Sequence, residues 1–368
     1  MKNQGLSQQD VLRYTRQLPI IGLQGQKQLQ SASVLCVGAG GLGCPVLQYL
    51  VAAGVGTIYV ADGDLVELSN LQRQILFTES DIGKSKAQTA VHRLQALNTT
   101  VQLHALKHFI NDTTRHLIPV CDVIIDATDN LTTRYWLNGY CRALAIPLVS
   151  ASVYQTQGQL SVFNYQQGPC YECLYPAPPP PSLVPSCAMA GVLGVVPGLL
   201  GVMQANEVIK VLLNNLNVLS GQLLTINTES MAVNSFFIEK QFSCSKEGCS
   251  SLASVSLPED NNFVCPTVDC HTVQQWQQSG KNLHWLDVRE SYERDIASIE
   301  SHHMPLLSLP DQLSKLDQQQ AWVVFCKSGQ RSQQAVQQML AAGFSQVWSL
   351  KGGIMAWREN MAPELFRY

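Results

Sequence analysis

The sequence predicts an α/β protein with two domains. In roughly the first 150 residues, short runs rich in β-branched residues alternate with amphipathic stretches, a pattern typical of parallel strands joined by crossover helices. After a polar, unpatterned stretch, the same alternation starts again in the runs LHWLDV, AWVVFC and SQVWSL. The length of 368 residues fits two domains, since a domain usually takes about 100 to 200 residues.

The elements of the first domain can be placed in order. Five strands are predicted, at residues 34–37, 57–61, 101–105, 123–126 and 148–150. Between the first two lies GCPVLQYLVAAGVG, which has the composition of a helix and is closed by glycine. From Gly158 the pattern becomes that of antiparallel strands, so a mixed sheet is expected. The polar stretch near 250–263 places the domains at 1–250 and 265–368, with a linker at 251–264.

Composition and charge argue against several classes of protein. A net charge of −3 and a pI near 6.2 give no basic surface for nucleic acid. The stretch MKNQGLSQQDVLRYTRQ lacks the apolar core of a signal peptide, so we expect a cytoplasmic protein. Its twelve cysteines are then expected to bind metal or to do chemistry rather than to form disulfides.

One uncharged segment, residues 188–206, is long enough to span a bilayer. It contains four glycines and a proline, and Glu207 and Lys210 follow it directly. We therefore expect a loop and then a buried helix over about 197–213, with no membrane association.

The stretch CVGAGGLGC follows the first predicted strand. Gly38, Gly40 and Gly43 have the GxGxxG spacing that lets a backbone approach a phosphate at a helix N-terminus. Asp62 lies nineteen residues after Gly43, at the end of the second strand, where a carboxylate can accept hydrogen bonds from ribose hydroxyls. This pattern fits the adenosine of NAD or of ATP equally well, and a tight turn without any ligand also produces it.

Polar residues further along distinguish the two nucleotides. Asn70, Arg73 and Lys86 follow the expected ribose carboxylate, and Asp129 and Asn130 follow the fourth strand. Hydride transfer needs no cations over the phosphates, whereas breaking an α,β-phosphate bond does, because charge grows on the departing pyrophosphate. Asp129 and Asn130 suit Mg²⁺ at the carboxyl edge of a sheet. Nucleotidyl transfer is therefore favoured, with surface charges and a helix cap as the alternative interpretation.

Five motifs, RYTRQ, GAGGLG, SNLQRQ, GKSKA and TDN, resemble in order and spacing the MoeB/ThiF family of adenylating enzymes, relatives of ubiquitin-activating enzymes. The resemblance covers about residues 8–250 and implies a Rossmann-like ATP-binding domain with catalytic roles for Arg73, Lys86 and Asp129. The nucleotide-binding set comprises the glycines of the loop and the residues that the resemblance adds, namely Gly38, Gly40, Gly41, Gly43, Asp62, Ser69, Asn70, Leu71, Gln72, Arg73, Lys86, Asp129 and Asn130.

The same resemblance implies a substrate and a dimer. The substrate is the C-terminal Gly-Gly carboxylate of a small ubiquitin-like sulfur carrier protein, MoaD-like or ThiS-like, which attacks the α-phosphate of ATP to give an acyl-adenylate and pyrophosphate. In relatives, the arginine that corresponds to Arg16 reaches the active site of the other subunit, so a homodimer is implied.

Cysteine spacing predicts a structural zinc site. Cys170 and Cys173 form a CxxC pair, in which two thiolates can share one tetrahedral ion. Loose thiols are the alternative. In the resembling family a second CxxC closes the zinc site at the position of Cys244 and Cys249, although four residues separate this pair here. Cys265 and Cys270 have the same spacing and are a rival pair.

Cys187 has no partner at ligand spacing, and lone cysteines are most often inert core residues. It stands, however, where sulfur-transferring members of the family carry a cysteine proposed to attack the acyl group. We expect it to have a covalent or resolving role.

The stretch WVVFCKSGQRSQQAVQQML predicts a second reactive site. A buried strand ends at Cys326, the six residues CKSGQR turn back, and Ser332 opens a helix, so backbone N–H groups and a helix dipole converge on one sulfur. Arg331 adds a positive charge. With WLDVRESYE before it and SLKGGIMAWRE after it, this loop resembles that of a rhodanese domain covering about 268–360, which implies a persulfide on Cys326. The segment RDIASIESHH departs from the family pattern, and a phosphatase, whose loop is one residue longer, is the alternative.

Together the two domains predict an adenylyltransferase and sulfurtransferase. The Cys326 persulfide would attack the adenylate and release AMP, and Cys187 or an external thiol would resolve the acyl-disulfide to a thiocarboxylate. The sulfur donor, a cysteine desulfurase or thiosulfate, and the pathway, whether molybdopterin, thiamine or tRNA thiolation, stay open. So do three other classes of protein: an activating enzyme for ubiquitin-like conjugation through a thioester, a nicotinamide oxidoreductase, and a binding module without catalysis.

Overall fold

The computed structural model describes residues 6–179, 191–241, 244 and 265–365. The chain divides into two compact units, Met1–Leu257 and Pro258–Tyr368. Two of the predicted site residues, Cys187 and Cys249, lie outside the described residues.

The first unit contains an eight-stranded sheet in the order β3-β2-β1-β4-β5-β6-β7-β8. Strands β1 to β5 run parallel, and β6, β7 and β8 continue the sheet antiparallel, as the change of pattern at Gly158 predicts. The strands are β1 Ser33–Val37, β2 Thr57–Ala61, β3 Gln102–Leu106, β4 Val123–Asp126, β5 Leu148–Tyr154, β6 Gln157–Phe163, β7 Gln222–Asn227 and β8 Ala232–Phe237.

Helices cover the parallel strands on both faces. Val34 and Cys36 of β1 join one apolar cluster, and Leu35 and Val37 join a second, so both faces of the strand are buried. This burial explains the continuous apolar run in the sequence. The described helices of this unit are α1 Gln8–Tyr14, α2 Leu18–Ser31, α3 Gly43–Ala53, α4 Lys86–Leu97, α5 Leu131–Ala143, α6 Tyr171–Leu174 and α7 Val195–Leu212.

Helix α7 is the buried helix expected over about 197–213. Within the described ranges it is the one helix long and apolar enough to cross a membrane, and half of it is buried inside the unit. It packs against α3 and against strands β5 and β6, and Leu200 and Val208 are fully buried. Its apolar composition is therefore explained by packing within the unit.

The connections of β1 and β4 create a crevice. The two strands are neighbours, but the chain leaves β1 through α3 towards β2 and leaves β4 through α5 towards β5, on the other side. Ligands of such sheets bind at this switch point, outside the carboxyl ends of the strands. The glycine loop follows β1 and the segment Thr128–Asn130 follows β4, so both predicted ligand-binding loops begin at the crevice.

The second unit contains a parallel five-stranded sheet in the order β11-β10-β12-β13-β9. Its strands are β9 Thr267–Val268, β10 Leu283–Asp287, β11 His302–His303, β12 Ala321–Phe325 and β13 Val347–Leu350. Its helices are α8 Cys270–Gln278, α9 Ser291–Ile296, α10 Leu309–Gln312, α11 Gln330–Ala341 and α12 Gly353–Asn360. Cys326 directly follows the central strand β12, at the carboxyl edge of the sheet.

Candidate active sites and cysteine cluster

The glycines of the first loop divide into two kinds. Gly38 has φ +98°, and a Cβ there would lie 2.6 Å from the carbonyl oxygen of Ala127. A Cβ at Gly43 would lie 2.0 Å from the carbonyl oxygen of Gly38. Both positions are therefore required by backbone packing itself. Gly40 has more room, because the atom nearest to a Cβ at that position would be Gln74 Nε2 at 3.7 Å, so this part of the loop stays accessible to a ligand.

Asp62 joins the end of β2 to the glycine loop. Its Oδ2 accepts a hydrogen bond from the backbone N–H of Ala39 at 2.8 Å, and its Oδ1 accepts one from the N–H of Asp64 at 2.8 Å. Burial raises the pKa of Asp62, and the two N–H groups partly offset this rise. The predicted ribose carboxylate is thus fixed against the loop by its own hydrogen bonds, which leaves further lone pairs for a ligand.

Lys86 is a buried cation in this region. It begins α4, which Ser85 caps, and only 8% of its side chain is exposed. Its Nζ lies 2.9 Å from Oδ2 of Asp64, whose side chain is half-exposed. The interpretation of Lys86 as a surface charge is wrong, because its side chain is buried. A buried ammonium group needs a partner, and Asp64 provides it. Asp64 is not among the residues predicted from the sequence, although the spacing of DGD places it two residues after the ribose carboxylate.

The segment with Arg73 lies beside the glycine loop. Arg73 is partly exposed, its Nη1 donates a hydrogen bond to the carbonyl oxygen of Ser69 at 3.0 Å, and its Cγ would lie 3.4 Å from a Cβ at Gly41. Asn70 is buried and accepts a hydrogen bond from the N–H of Glu67. The structure therefore brings the predicted arginine to the predicted phosphate loop.

The neighbouring residues Ser69, Leu71 and Gln72 differ in burial. Leu71 packs against the core, whereas the side chains of Ser69 and Gln72 are exposed. The backbone of Gln72 lies against Gly194, since a Cβ at Gly194 would come within 2.2 Å of the Gln72 carbonyl oxygen. The segment before α7 therefore packs against the backbone at Gln72.

Asp129 and Asn130 lie between β4 and α5. Oδ1 of Asn130 accepts a hydrogen bond from the N–H of Thr133 at 3.0 Å, so the helix cap is Asn130 rather than Asp129. Asp129 is exposed. At the switch point this residue is therefore accessible to a ligand.

Arg16 is exposed on the N-terminal segment between α1 and α2. The phenol of Tyr14 accepts a hydrogen bond from Nδ2 of Asn98 at 3.0 Å, and Nε2 of Gln17 donates one to Ala53 at 3.0 Å. These contacts anchor the chain on both sides of Arg16. Within the described part of the chain, no hydrogen bond or ion pair joins Arg16 to the nucleotide-site residues.

Three of the four predicted zinc ligands meet in a cysteine cluster formed by Cys170, Cys173 and Cys244. Their Sγ atoms all lie within 4.8 Å of one another, and those of Cys170 and Cys173 are 3.8 Å apart. Zn–S bonds of about 2.3 Å in a tetrahedral site place sulfurs about 3.8 Å apart, so these buried thiols fit the ion. The rival pair lies in the second unit and outside the cluster, and Cys265 Sγ contacts the Gln333 carbonyl oxygen there.

Cys326 is buried at the end of β12, with 1% of its surface exposed. Its Sγ accepts a hydrogen bond from the N–H of Gly329 at 3.1 Å and lies 3.7 Å from Oγ of Ser332. Ser332 also contacts Oγ of Ser349 at 2.7 Å, which fixes the first turn of α11 against β13. One backbone N–H is thus directed at the sulfur, in line with the donors that the sequence predicts for this loop, and the Ser332 hydroxyl is a contact that was not predicted.

Helix α12 forms hydrogen bonds with the backbone of the Cys326 loop. At the start of α12, the N–H groups of Ile354 and Met355 donate to the carbonyl oxygens of Cys326 and Lys327. This contact needs Gly353, because a Cβ there would lie 2.3 Å from the Cys326 oxygen. The first carbonyls of the loop are therefore turned towards α12.

Arg331 lies in the loop, but its charge is paired. Nη1 and Nη2 of Arg331 contact the two carboxylate oxygens of Glu293 at 2.5 and 2.7 Å. Burial opposes ionisation of Glu293, but the hydrogen bonds and charge of Arg331 outweigh it and hold the pKa of Glu293 below its ordinary value. Arg331 therefore fixes the loop to α9. The sequence gives no signal for this pairing beyond the Glu residues of RESYE.

Comparison with known proteins agrees with this geometry. Residues 14–247 match the ThiF family, and residues 269–360 match the rhodanese-like domain. The chain belongs to the ThiF family. The resemblance stated from the five motifs and from the Cys326 loop is confirmed.

Curated relatives of this ThiF-family chain match over nearly its full length. A probable adenylyltransferase/sulfurtransferase MoeZ of Mycobacterium tuberculosis is 38% identical, over 99% of this chain and 96% of the relative. An adenylyltransferase and sulfurtransferase MOCS3 of Danio rerio is also 38% identical, over 98% of this chain and 87% of the relative. The ThiF-family chain is accordingly an adenylyltransferase and sulfurtransferase, as predicted.

Solved structures show the same fold. MccB of E. coli, solved with ATP, superposes with a TM-score of 0.57 at 24% identity, over 65% of this chain and 74% of that protein. The ThiF-family fold with its mixed sheet, and the smaller α/β unit that follows it, are as the sequence predicts.

Replacing Glu293 by Gln should destabilise the second unit at neutral pH by about 3 kcal/mol, because it leaves Arg331 buried and unpaired. Since the pKa of Glu293 is depressed below 4.5 in the folded chain, its stabilising contribution is complete above pH 4.5 and is lost as the pH falls below that value. The difference between parent and variant should therefore shrink in acid.

Urea unfolding followed by tryptophan fluorescence measures this effect. Five of the six tryptophans lie in the second unit, so the signal reports mainly on it. The exposed Glu300 provides a control, and Glu300→Gln should leave the free energy of unfolding unchanged. An equal deficit for Glu293→Gln at all pH values would show that the ion pair is not its source.

Proposed function

We propose that this chain adenylates the C-terminal Gly-Gly carboxylate of a small ubiquitin-like sulfur carrier protein, MoaD-like or ThiS-like, and converts it to a thiocarboxylate with sulfur carried on Cys326. The observation that carries the proposal is the set of groups around the glycine loop, which begins at the crevice between β1 and β4. Gly40 is accessible and Arg73 lies beside Gly41. The buried Lys86 is linked to the loop through Asp64 and Asp62. A phosphate-binding loop with fixed cations suits pyrophosphate departure.

In the first step, a carboxylate oxygen of the carrier attacks the α-phosphorus of ATP. The bond from that phosphorus to the bridging oxygen breaks, and pyrophosphate leaves with the electron pair. Arg73 and Lys86 stabilise the charge that grows on the leaving group, and the buried position of Lys86 makes its charge more effective. Asp62 binds the ribose. Asp129 and Asn130 would hold Mg²⁺, which supplies charge neutralisation at the phosphates when bound.

In the second step, the terminal sulfur of a Cys326 persulfide attacks the acyl carbon, and AMP leaves. The product is an acyl-disulfide on Cys326. The thiolate of Cys187, or an external thiol, then attacks Sγ of Cys326 and releases the thiocarboxylate, which leaves a disulfide that a thiol reductant must reduce. The Gly329 N–H and the Ser332 hydroxyl contact Sγ of Cys326 and hold this sulfur in place, both while its persulfide attacks the acyl carbon and while a thiolate attacks Sγ. A cysteine desulfurase or thiosulfate supplies the next sulfur.

We also propose that two chains form a homodimer in which Arg16 serves the partner's nucleotide site. Arg16 is held outward between the anchors Tyr14 and Gln17. Apolar side chains of the same segment, Leu12 and Ile20, are largely exposed and would be covered by a second copy.

Mass spectrometry tests the proposal directly. The chain is incubated with ATP, a sulfur donor and each candidate carrier, and the carrier is weighed. Addition of AMP, followed by replacement of one oxygen by sulfur, is the expected result. A stable carrier adduct on Cys187 would instead indicate an activating enzyme for conjugation, and an unchanged mass with every carrier would contradict the proposal.

We propose that the cysteine cluster binds one structural zinc ion, with Cys249 as the fourth ligand. The protein purified without chelator should contain about one zinc per chain, and Cys173→Ser should lose most of it, because a hydroxyl is a poor substitute for a thiolate ligand. Metal analysis of both proteins makes the measurement. Cys270→Ser, in the rival pair, is the matched control and should retain zinc; loss of zinc from this control alone would assign the ion to the rival pair.

A further inference from the structure

The loop that carries Asp129 is clamped at its base. Asp126, the last residue of β4, is completely buried, and its Oδ1 accepts hydrogen bonds from the N–H and the hydroxyl of Thr128 at 3.1 and 2.7 Å. At the other end of the loop, Asn130 caps α5. Asp129 lies between these fixed points and is exposed, so its position depends on the clamp.

Arg134 of α5 completes this clamp. Its Nε contacts Oδ2 of Asp126 at 2.6 Å, and its Nη2 donates to the carbonyl oxygens of Thr128 and Ala151, both at 3.0 Å. One planar guanidinium thus joins the end of β4, the Asp129 loop and the adjacent strand β5. Lysine cannot reproduce this set of directions, because its ammonium group is a single point charge.

The same face of α5 also contacts α6, which contains Cys173 and is preceded by Cys170. The Arg134 guanidinium lies 5.9 Å from the centre of the Tyr171 ring. One turn further along α5, Oδ1 of Asn138 accepts a hydrogen bond from the N–H of Tyr171 at 2.8 Å, and its Nδ2 donates to Glu172 at 3.1 Å. Helix α5 therefore fixes the position of α6 and of the Asp129 loop together.

We infer that Arg134 is a positioning residue for the adenylation reaction, which holds the Asp129 loop in its productive place against a support formed by α5 and α6. The inference rests on the proposed function of Asp129. A purely structural role for Arg134 would lower stability without any specific relation to Asp129. A positioning role would make the effects of substitutions at Arg134 and Asp129 non-additive.

A double-mutant cycle on the full chain separates these roles. Arg134→Lys keeps a positive charge beside Asp126 but loses the contacts with the loop, so kcat of ATP–pyrophosphate exchange should fall about 10- to 100-fold with a KM for ATP changed less than about twofold. Asp129→Ala should also lower kcat. The double variant should be no slower than Asp129→Ala alone, because a displaced loop costs nothing further once its functional side chain is absent.

Controls show that the effect is specific. Arg142→Lys, near the other end of the same helix, should retain the parent kcat. All variants should retain the parent's zinc content, whereas Arg134→Lys should melt at a lower temperature because lysine cannot replace the buried contacts of the guanidinium. If Arg134→Lys folds poorly, Thr128→Val provides the second variant, since it removes only the hydroxyl that contacts Asp126 and should show the same relation to Asp129→Ala.

The outcomes distinguish the inference from the proposed function. Losses that multiply in the double variant would overturn the positioning role while leaving the role of Asp129 intact. An Asp129→Ala variant that exchanges pyrophosphate at the parent rate would overturn the proposed role of Asp129, and the inference with it.

Discussion

Replacing Cys326 by alanine is expected to reduce thiocarboxylate formation by about 1000-fold or more, because no other described thiol of the second unit receives a loop N–H group and a hydroxyl as this one does. ATP–pyrophosphate exchange should continue at the parent rate, since the nucleotide site lies in the other compact unit with its own core. The same preparation is assayed for both activities, by exchange of labelled pyrophosphate and by the mass of the carrier.

The control for this variant is Cys265→Ala. Cys265 is a partly exposed cysteine of the same unit that contacts only carbonyl oxygens of Pro266 and Gln333 among the described hydrogen bonds, so its loss should leave both activities unchanged. Loss of exchange together with sulfur transfer in Cys326→Ala would refute the proposed division of labour between the units.

Replacing Lys86 by methionine is expected to reduce ATP–pyrophosphate exchange by about 100- to 1000-fold, the usual cost of removing one charge-stabilising donor from an active site. The unbranched side chain of methionine fills a similar volume, and the half-exposed Asp64 that it leaves behind can be solvated. The fold should therefore survive. Steady-state exchange and the melting temperature of the same protein give the two measurements.

Lys84 provides a matched control two residues earlier. Its side chain is 59% exposed and pairs with Asp81, so Lys84→Met removes the same charge from the same stretch of chain without reaching the crevice. Exchange by this variant should stay close to the parent rate. Similar small losses in both variants would mean that Lys86 serves the fold through Asp64 and takes no part in catalysis.

The predictable part of the molecule is the part encoded by local pattern. Both faces of β1 are buried, so its run of apolar residues identified it as a parallel strand. Gly54 ends α3 in a left-handed conformation, as its place after the apolar run indicates. The order of five short motifs then identified the family, because order and spacing carry more information than any one of them.

Partners of charged groups could not be predicted in this way. Asp64 and Glu293 pair with Lys86 and Arg331 only after the sheet has brought distant segments together, and several acidic residues near each site were equally plausible from the sequence. The cysteine cluster had the same difficulty. Two candidate pairs share one spacing, and the sequence could not show that the chain folds Cys244 back onto the CxxC element.

The steric demand at Gly38 and Gly43 affects how degenerate relatives should be recognised. A relative that had lost the ability to bind a nucleotide would still be under selection to keep both glycines. Any side chain at these positions would collide with main-chain oxygens. The motif would persist after the chemistry had disappeared. Inactive paralogues are therefore better recognised by the loss of the buried Lys86 than by the loss of the glycines.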